Sequence, residues 1–346
     1  MPNDFSSITT EAALEERLSR PTRLAIEAMS KLEGDLLVLG IGGKMGPSLV
    51  RLARRSAEAA GKRDLRVIGV SRFSAGGLRD ELERERIQTL AGDLLDETFR
   101  DSLPSVPNVL FMLGHKFSHG DGPSQYWAVN TWLPGVLADQ FRNAKIVCFS
   151  TGNVYPFTRV DEPAPTEETP CQPIGEYAIT ALGRERMVEY VSRRYGTRAA
   201  ILRLNYAVEA RYGVLVDLAE KLLARTPIDL TTPCVNIVWQ GYANAVALAS
   251  FGIVSSPPHV LNLTGLGNLQ IRELAEQLAS RLGVEPRFAG DEGSTALLSD
   301  TRRCHELFGP PDVDLDDLLD LTAAWFRHGG RTLGKPTKFQ VRDGKF

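Results

Sequence analysis

Short runs of apolar residues alternate along the chain with longer stretches in which apolar positions recur every three or four residues. The short runs lie at 35–40, 65–70, 87–92, 108–113, 145–150 and 199–204. Uninterrupted apolar runs of this length are typical of strands buried on both faces. The stretches between them, clearest at 124–142 and 176–195, have helical spacing. Strands and helices in alternation predict an α/β protein with a doubly wound parallel sheet.

A glycine-rich turn, GIGGKMG, joins the first predicted strand to the helix that follows it. Gly40 permits a tight turn, Gly43 lets a pyrophosphate approach the N–H groups at the helix start, and Gly46 lets the helix pack close to the strand. Lys44 and Met45 lie in the same turn, where Lys44 adds a positive charge. The strand–turn–helix context predicts a Rossmann-type dinucleotide site, with a plain glycine-rich turn as the alternative.

The end of the second predicted strand bears on which dinucleotide is bound. NAD sites usually present an acidic side chain there, which binds the ribose 2′-hydroxyl. This chain has Ser71 and Arg72 at that place. A hydroxyl and a guanidinium can bind a 2′-phosphate, whereas a carboxylate would repel it. We therefore expect NADP, with NAD possible if Arg72 only stacks on the adenine.

The helix–strand rhythm changes towards both ends of the chain. Thr10 is placed to cap a helix that opens at Glu11, and from about residue 205 the alternation loosens. The chain accordingly divides into four parts. They are an N-terminal helical extension (1–34), a Rossmann-type NAD(P)-binding domain (35–204), a segment that is mainly a smaller C-terminal substrate-binding lobe (205–330), and a tail (331–346). The tail has neither helical nor strand spacing, and we expect a strap or a mobile segment.

Composition excludes several classes of partner. Of 346 residues, 43% are hydrophobic and 24% charged, and the net charge of −3 gives no basic surface for nucleic acid or anionic membranes. No apolar run approaches the ~20 residues that span a bilayer, and the N-terminus does not read as a signal peptide. The cysteines lack paired spacing, which favours reduced thiols over disulfides or zinc. We expect a cytoplasmic protein with a small-molecule substrate.

Five further motifs follow the later strands in a fixed order. They are GDLLD at 92–96, MLGHK at 112–116, AVNTWLPG at 128–135, FSTGNVY at 149–155 and EETPCQPIGEY at 167–177. Together with the glycine turn they resemble the extended short-chain dehydrogenase/reductase family, the NAD(P)-dependent epimerase/dehydratase group. The resemblance covers roughly residues 35–330.

The resemblance implies a role for several residues. It places Thr151 on the position of the catalytic serine or threonine and Tyr177 on that of the catalytic tyrosine. It also implies a homodimer through the helices predicted at 124–142 and 176–195. The further cofactor contacts that it implies are Asp93 and Leu94 near the adenine, and Gly114 and Lys116 where the backbone passes the ribose and pyrophosphate; Asn130 and Glu185 fall on two more family positions.

Two departures from the family pattern concern the chemistry. The lysine expected four residues after Tyr177 is Ala181, and Tyr206 stands where the family has an asparagine after the sixth strand. In the implied mechanism the phenol exchanges a proton with the substrate, and the lysine lowers the phenol pKa. A free tyrosine has a pKa of ~10, so about one in a thousand is ionised at pH 7. Loss of such a group commonly reduces the rate on the order of 10²–10⁴-fold.

Two other cations could replace the missing lysine. Arg184 lies about 20° around the helix from Tyr177, so its guanidinium could supply a positive charge without relaying protons. The alternative is a solvated arginine that pairs with neighbouring carboxylates. Lys116 is the second candidate. The alternatives for Lys116 are that it contacts a cofactor phosphate or that it is an ordinary surface lysine.

His115, His119 and Asp121 suggest a metal site, but they lie in a glycine-bounded loop with no helix to align them. We expect a polar loop, or a substrate contact by His115, and no metal.

Three functions are compatible with these residues. The leading hypothesis is an NAD(P)-dependent oxidoreductase or epimerase acting on a carbonyl or secondary alcohol, for instance of a sugar or sugar derivative. Tyr177 would be the acid/base and Thr151 would orient the substrate oxygen. The alternatives are a non-catalytic NADP-binding sensor or partner-binding protein, which Ala181 favours, and a lyase or isomerase with a bound nucleotide.

Overall fold

A computed structural model describes residues 5–74, 76–116 and 122–344. The strands of its central sheet are β1 (Leu36–Leu39), β2 (Val67–Ser71), β3 (Gln88–Ala91), β4 (Asn108–Phe111), β5 (Lys145–Thr151), β6 (Ala199–Leu204) and β7 (His259–Leu263). All neighbours pair in parallel, in the order β3–β2–β1–β4–β5–β6–β7. This is the doubly wound, Rossmann-type sheet that the apolar runs predict.

Helices connect and cover the strands. They are α1 (Glu11–Leu18), α2 (Arg23–Lys31), α3 (Gly46–Ala59), α4 (Leu78–Arg84), α5 (Glu97–Asp101), α6 (Pro123–Trp127), α7 (Leu133–Gln140), α8 (Gly175–Tyr195), α9 (Val214–Leu223), α10 (Gln240–Ala249), α11 (Ile271–Leu282), α12 (Arg302–Phe308) and α13 (Leu315–Arg327). A π-helical turn, Ala128–Trp132, joins α6 to α7. Short 3-10 turns lie at Phe5–Ser7, Gly152–Val154 and Ser250–Gly252.

The first strand shows why the apolar runs are uninterrupted. Leu36 and Val38 belong to one hydrophobic core, and Leu37 and Leu39 belong to a second core on the opposite face of the sheet. All four side chains are fully buried. Because successive residues of a strand point to opposite faces, a sheet covered on both sides needs apolar residues at every position.

The N-terminal extension covers one side of the sheet. The α1 and α2 helices pack against α3 and α10. Thr10 caps α1 as the sequence predicts, since its Oγ1 accepts a hydrogen bond from the Ala13 N–H at 3.2 Å. The α7 and α8 helices pack against each other, and α8 contacts β5. The extension therefore does not lie on the helices for which a dimer contact is predicted.

The C-terminal part of the chain returns to the sheet. β7, which the spacing assigns to the C-terminal lobe, pairs with β6 over the register His259–Ala200 to Leu263–Leu204. The rest of the lobe is built from α9, α11 to α13 and short two-residue strands. These strands form the pairs Ala207–Val208 with Val238–Trp239, Ile228–Asp229 with Phe288–Ala289, Cys234–Val235 with Leu269–Gln270 and Thr158–Arg159 with Thr295–Ala296.

Residues 331–344, here called the strap, cross the lobe without forming helix or strand. The Leu333 N–H donates to the Arg211 carbonyl at 2.9 Å, and Phe339 is buried. The strap ends against the start of α8, where a Cβ on Gly344 would lie 2.6 Å from the Gly175 Cα. In the part of the chain that the structure describes, no helix combines the length and the apolar character that a membrane span requires.

Candidate functional site

The turn after β1 has the geometry of a phosphate cradle. Gly40 has a φ of 92°, and a Cβ on Gly46 would lie 2.2 Å from the Ile41 carbonyl oxygen. Glycine is therefore required at the turn and at the helix start. A Cβ on Gly43 would meet only the Gly40 oxygen at 3.8 Å, so the space in front of it is open. The turn fits the pyrophosphate of a dinucleotide, since α3 presents its N-terminal end there.

The residues after β2 and β3 lie beside this turn. Arg72 is exposed and has no hydrogen-bond or ion-pair partner among the described residues. Ser71 lies close to the turn, because its Oγ would be 2.3 Å from a Cβ on Gly42, a glycine that the sequence analysis did not single out. Asp93 is also exposed, and its Oδ1 accepts a hydrogen bond from the Leu95 N–H at 2.9 Å. Leu94 and Met45, by contrast, are buried.

Asn130 fixes the loop that follows β4. Its Oδ1 accepts a hydrogen bond from the His115 N–H at 2.7 Å, and its Nδ2 donates to the His115 carbonyl at 3.0 Å. Gly114 is exposed just before this clamp. His119 and Asp121, which the metal hypothesis also needs, lie outside the described residues. Within the described ranges no three His, Cys, Asp or Glu side chains are grouped as a metal site would need.

Thr151 and Tyr177 meet at the carboxyl end of β5. Thr151 is the last residue of that strand and Tyr177 lies in the first turn of α8. Burial raises the pKa of the Tyr177 phenol, while the charge of Arg184 and a hydrogen bond with the Thr151 side chain act in the opposite direction. Thr151 is held by the Asn153 N–H, which donates to its Oγ1 at 3.2 Å.

The position of the missing family lysine is filled by apolar packing. Ala181 is 1% exposed and belongs to a small hydrophobic cluster with Val154 and Tyr155. A lysine at this position would have to displace these side chains before it could reach the phenol.

Arg184 is buried, so the solvated alternative for this residue is wrong. Its side chain is 5% exposed and its Nη1 donates to the Phe149 carbonyl at 2.7 Å. Its Nε and Nη2 donate to the Asn130 carbonyl and Oδ1, each at 3.2 Å. Because α8 packs on β5, the side of the helix that carries Arg184 points into the protein. The helical spacing between Tyr177 and Arg184 does not by itself predict this burial. The result is a fixed positive charge whose field acts on Tyr177.

Two lysines line the same cavity as Tyr177 and Thr151. The Lys116 Nζ lies 5.0 Å from the centre of the Tyr177 ring, and burial together with the charge of Lys338 lowers its pKa to about 7. The Lys44 Nζ donates to the Ala207 carbonyl at 2.6 Å, and burial lowers its pKa as well. Lys44 thus reaches from the glycine turn to the C-terminal lobe.

The cavity has a volume of about 180 Å³. Tyr206 and Tyr212 line it from the segment after β6, and Tyr206 has a φ of 42°, a left-handed conformation that is rare for tyrosine. An asparagine tolerates that conformation better than a tyrosine does. Thr337 of the strap completes the wall. The sequence contained no signal for Tyr212 or Thr337, because they reach the site only through the folding of the lobe.

A buried ion pair between Arg203 and Glu185 lies beneath the site. The Arg203 Nη2 lies 2.8 Å from the Glu185 Oε2, and both side chains are nearly fully buried. The Ser150 hydroxyl also donates to Glu185, and the Tyr155 hydroxyl accepts a hydrogen bond from Arg203 at 2.7 Å. Glu185 therefore joins α8 to β5 through Ser150 and to β6 through Arg203.

Several solved structures have a similar fold, and two of them are 4-epimerases of UDP-sugars. UDP-glucuronic acid 4-epimerase from Bacillus cereus, in complex with UDP-glucuronic acid and NAD, superposes with a TM-score of 0.71 at 18% identity, over 85% of this chain and 99% of that one. UDP-glucose 4-epimerase from Thermotoga maritima, with UDP-glucose, gives 0.66 at 20% identity, over 85% and 99%. MoeE5 in complex with UDP-glucose and NAD gives 0.68 at 19% identity, over 86% and 99%.

At these identities the structural likeness establishes the fold. No match is found among curated protein sequences. Residues 36–215, more than half of the chain, match the NAD dependent epimerase/dehydratase family. The matched segment contains the glycine turn, the loop after β4, and both Thr151 and Tyr177. The chain belongs to the NAD dependent epimerase/dehydratase family.

Proposed function

We propose that the protein is an NAD(P)-dependent oxidoreductase or epimerase that acts on a carbonyl or secondary alcohol of a sugar or sugar derivative. One observation carries this proposal: Tyr177 and Thr151 line one cavity together with Lys44 of the glycine turn, and the Thr151 side chain acts to lower the pKa of the Tyr177 phenol. Family membership supports the cofactor class. The names of two structural relatives, both 4-epimerases of UDP-sugars, support the epimerase form of the proposal.

Thr151 and Tyr177 have different roles towards the substrate in this proposal. A nicotinamide dinucleotide held at the glycine turn by Gly40, Gly43 and Gly46 would supply the hydride acceptor and donor. Thr151, held in place by Asn153, orients the reacting oxygen with its hydroxyl. Tyr177 removes the proton from that oxygen during oxidation and returns it during reduction.

Arg184 and Lys116 together replace the family lysine in this proposal. Arg184 supplies a positive charge in a fixed position, because carbonyl oxygens of Asn130 and Phe149 hold its guanidinium. Lys116 supplies a charge that varies with pH, because its pKa is about 7. A contact between Lys116 and a cofactor phosphate remains the other role for this residue.

The proposal is tested by incubating the protein with NADP or NAD and a panel of polyols, sugar acids and sugar nucleotides. An oxidoreductase should increase the absorbance of the reduced cofactor with at least one of them, whereas an epimerase should convert one of them to its epimer without net reduction of the cofactor. If the cofactor binds but no compound is oxidised or epimerised, the non-catalytic NADP-binding hypothesis takes precedence. The packing of Ala181 with Val154 and Tyr155 is the observation that favours that hypothesis.

Arg72→Ala is expected to weaken NADP binding by roughly 1–3 kcal/mol and to leave NAD binding nearly unchanged. The physical reason is that an exposed guanidinium without a protein partner, at the end of β2, can bind the 2′-phosphate. Calorimetric titration with both dinucleotides measures the two affinities. Arg63→Ala, which removes an exposed arginine before the same strand, is the matched control. Tighter binding of NAD than of NADP by the unmodified protein would contradict the preference.

We expect a homodimer formed by α8 and the helices from α6 to α7. Trp127 and Trp132 on one side and Ile179 and Tyr190 on α8 are each between 40% and 54% exposed. Apolar side chains grouped on two neighbouring helices favour burial against a second copy. Sedimentation velocity at micromolar concentration should show a dimer, and Tyr190→Glu should shift it towards monomer. Leu266→Glu, at an exposed position outside both helices, should not.

A further inference from the structure

Lys44 joins the glycine turn to the C-terminal lobe. Its backbone lies between Gly43 and Gly46 in the turn, but its amine contacts the segment after β6. The Nζ donates to the Ala207 carbonyl at 2.6 Å and lies 3.6 Å from the centre of the Tyr212 ring. One side chain of the cofactor turn therefore holds two points of the lobe.

These two points belong to residues 206–213, here called the lobe loop. Tyr206 and Tyr212 of this loop line the same cavity as Tyr177 and Thr151. In the part of the chain that the structure describes, neither of the two phenol hydroxyls of the lobe loop has a hydrogen-bond partner. The lobe loop thus brings two polar groups to the cavity wall that other protein groups do not satisfy.

The lobe loop is also tied to the N-terminal extension and to the strap. The Arg211 Nη2 lies 2.7 Å from the Glu15 Oε1 on α1, and the Arg211 carbonyl accepts a hydrogen bond from the Leu333 N–H. Neither contact involves the glycine turn. Of the hydrogen bonds within the described ranges, only that of Lys44 joins the turn directly to the lobe loop.

The charged groups around Lys44 do not remove this contact. Burial lowers the pKa of Lys44, Glu209 and Asp217 act in the opposite direction, and Lys116 acts in the same direction as burial. An amine has N–H donors with or without its extra proton. The hydrogen bond to the Ala207 carbonyl is therefore compatible with both charge states.

We propose that Lys44 is a positioning residue, through which a dinucleotide bound at the glycine turn fixes the lobe loop and so sets the wall of the substrate cavity. This inference rests on the cofactor class of the proposed function. The N–H groups at the start of α3 supply donors for the pyrophosphate, so the Lys44 amine stays on the lobe when the turn becomes ordered. Because coupling between two sites is reciprocal, a substrate held by the lobe loop also strengthens cofactor binding.

Hydrogen exchange followed by mass spectrometry, on the full chain with and without saturating NADP or NAD, tests the coupling. The N–H groups of Glu209 and Tyr212 each donate to the carbonyl of the other residue, so their exchange reports the opening of the lobe loop. We expect the dinucleotide to slow this exchange at least about fivefold, the lower end of the couplings usual between two sites. Calorimetry confirms that each protein is saturated.

Lys44→Met removes the amine and keeps the apolar part of the side chain. The dinucleotide should still bind within about tenfold and protect the glycine turn, but it should no longer slow exchange in the lobe loop. Lys44→Arg, which keeps a donor, should retain the slowing. Lys62→Met is the matched control, because Lys62 also donates to a backbone carbonyl at 2.6 Å, that of Leu32, and it should leave the slowing unchanged.

Glu15→Gln distinguishes coupling from ordinary support. It weakens the ion pair with Arg211, so exchange of the lobe loop should become faster by the same factor with and without the dinucleotide. If Lys44→Met has this same effect and keeps the slowing, the role of Lys44 is structural only and the inference is wrong. Lys44→Ala provides the same comparison if Lys44→Met does not fold.

The remaining outcomes are distinct. Faster exchange of the lobe loop on binding would show that the Lys44 amine leaves Ala207 for the pyrophosphate, which contradicts the inference. Protection of the glycine turn without any change in the lobe loop would contradict it too. In both cases the dinucleotide binds and the proposed function stands. If neither NADP nor NAD binds, both the inference and the proposed function are wrong.

Discussion

Replacing Tyr177 with phenylalanine is expected to reduce turnover on the order of 10²–10⁴-fold, because the phenol is the group that exchanges the proton with the substrate. Cofactor affinity should remain within about tenfold, since the phenol faces Thr151 and the cavity rather than the glycine turn. The measurement is kcat with the best substrate together with a cofactor titration. Tyr190→Phe, at an exposed position on the same helix, should retain full activity.

The pH dependence of the unmodified protein tests the same assignment. Burial raises the pKa of Tyr177 above its ordinary value, and Arg184 offsets part of that effect. Alcohol oxidation requires the ionised phenol, so its rate should rise with pH towards the pKa of the phenol, less steeply than about tenfold per unit while Lys116 loses its charge around its pKa of about 7. A flat profile between pH 7 and 9, or full activity of Tyr177→Phe, would place the chemistry on another residue.

Arg184→Met is expected to lower the free energy of unfolding by roughly 3–5 kcal/mol. The substitution removes hydrogen bonds to the Phe149 carbonyl and to both oxygens of Asn130, and these acceptors then lack partners inside the protein. It also removes the positive charge that acts on Tyr177. The pKa of the phenol should rise further, so the oxidation profile should move to higher pH and the rate at neutral pH should fall about tenfold per unit.

Arg184→Lys separates the two effects. It keeps the charge but not the planar set of donors, so the pH profile should stay close to that of the unmodified protein while stability is only partly recovered. The matched control is Arg186→Met, which removes a 61% exposed side chain paired with Glu189 and should change stability by less than about 1 kcal/mol. A destabilised Arg184→Met protein with an unchanged pH profile would show that the role of Arg184 is structural only.

The sequence by itself determined the sheet and the glycine turn, because both depend on local patterns, whereas the pairing of Thr151 with Tyr177 was implied by the resemblance to the family. An uninterrupted apolar run forms a strand with two buried faces, and glycines at 40 and 46 permit a turn in which a side chain at either position would be strained or would clash. Thr151 and Tyr177 meet because one ends a strand and the other begins the helix packed beside it. Neighbouring elements in the chain are adjacent in space.

Only the tertiary structure decided what surrounds the phenol. Helical spacing places Arg184 near Tyr177, but its burial depends on carbonyl oxygens that β5 and the helix before it supply. The space beside Ala181 could be empty or occupied, and in the structure the side chains of Val154 and Tyr155 occupy it. The strap has no periodic pattern, because its conformation is held by contacts such as that between Thr337 and Asp217, 120 residues apart. Contacts between residues so far apart in the chain form only after the lobe has folded. No local pattern in the sequence predicts them.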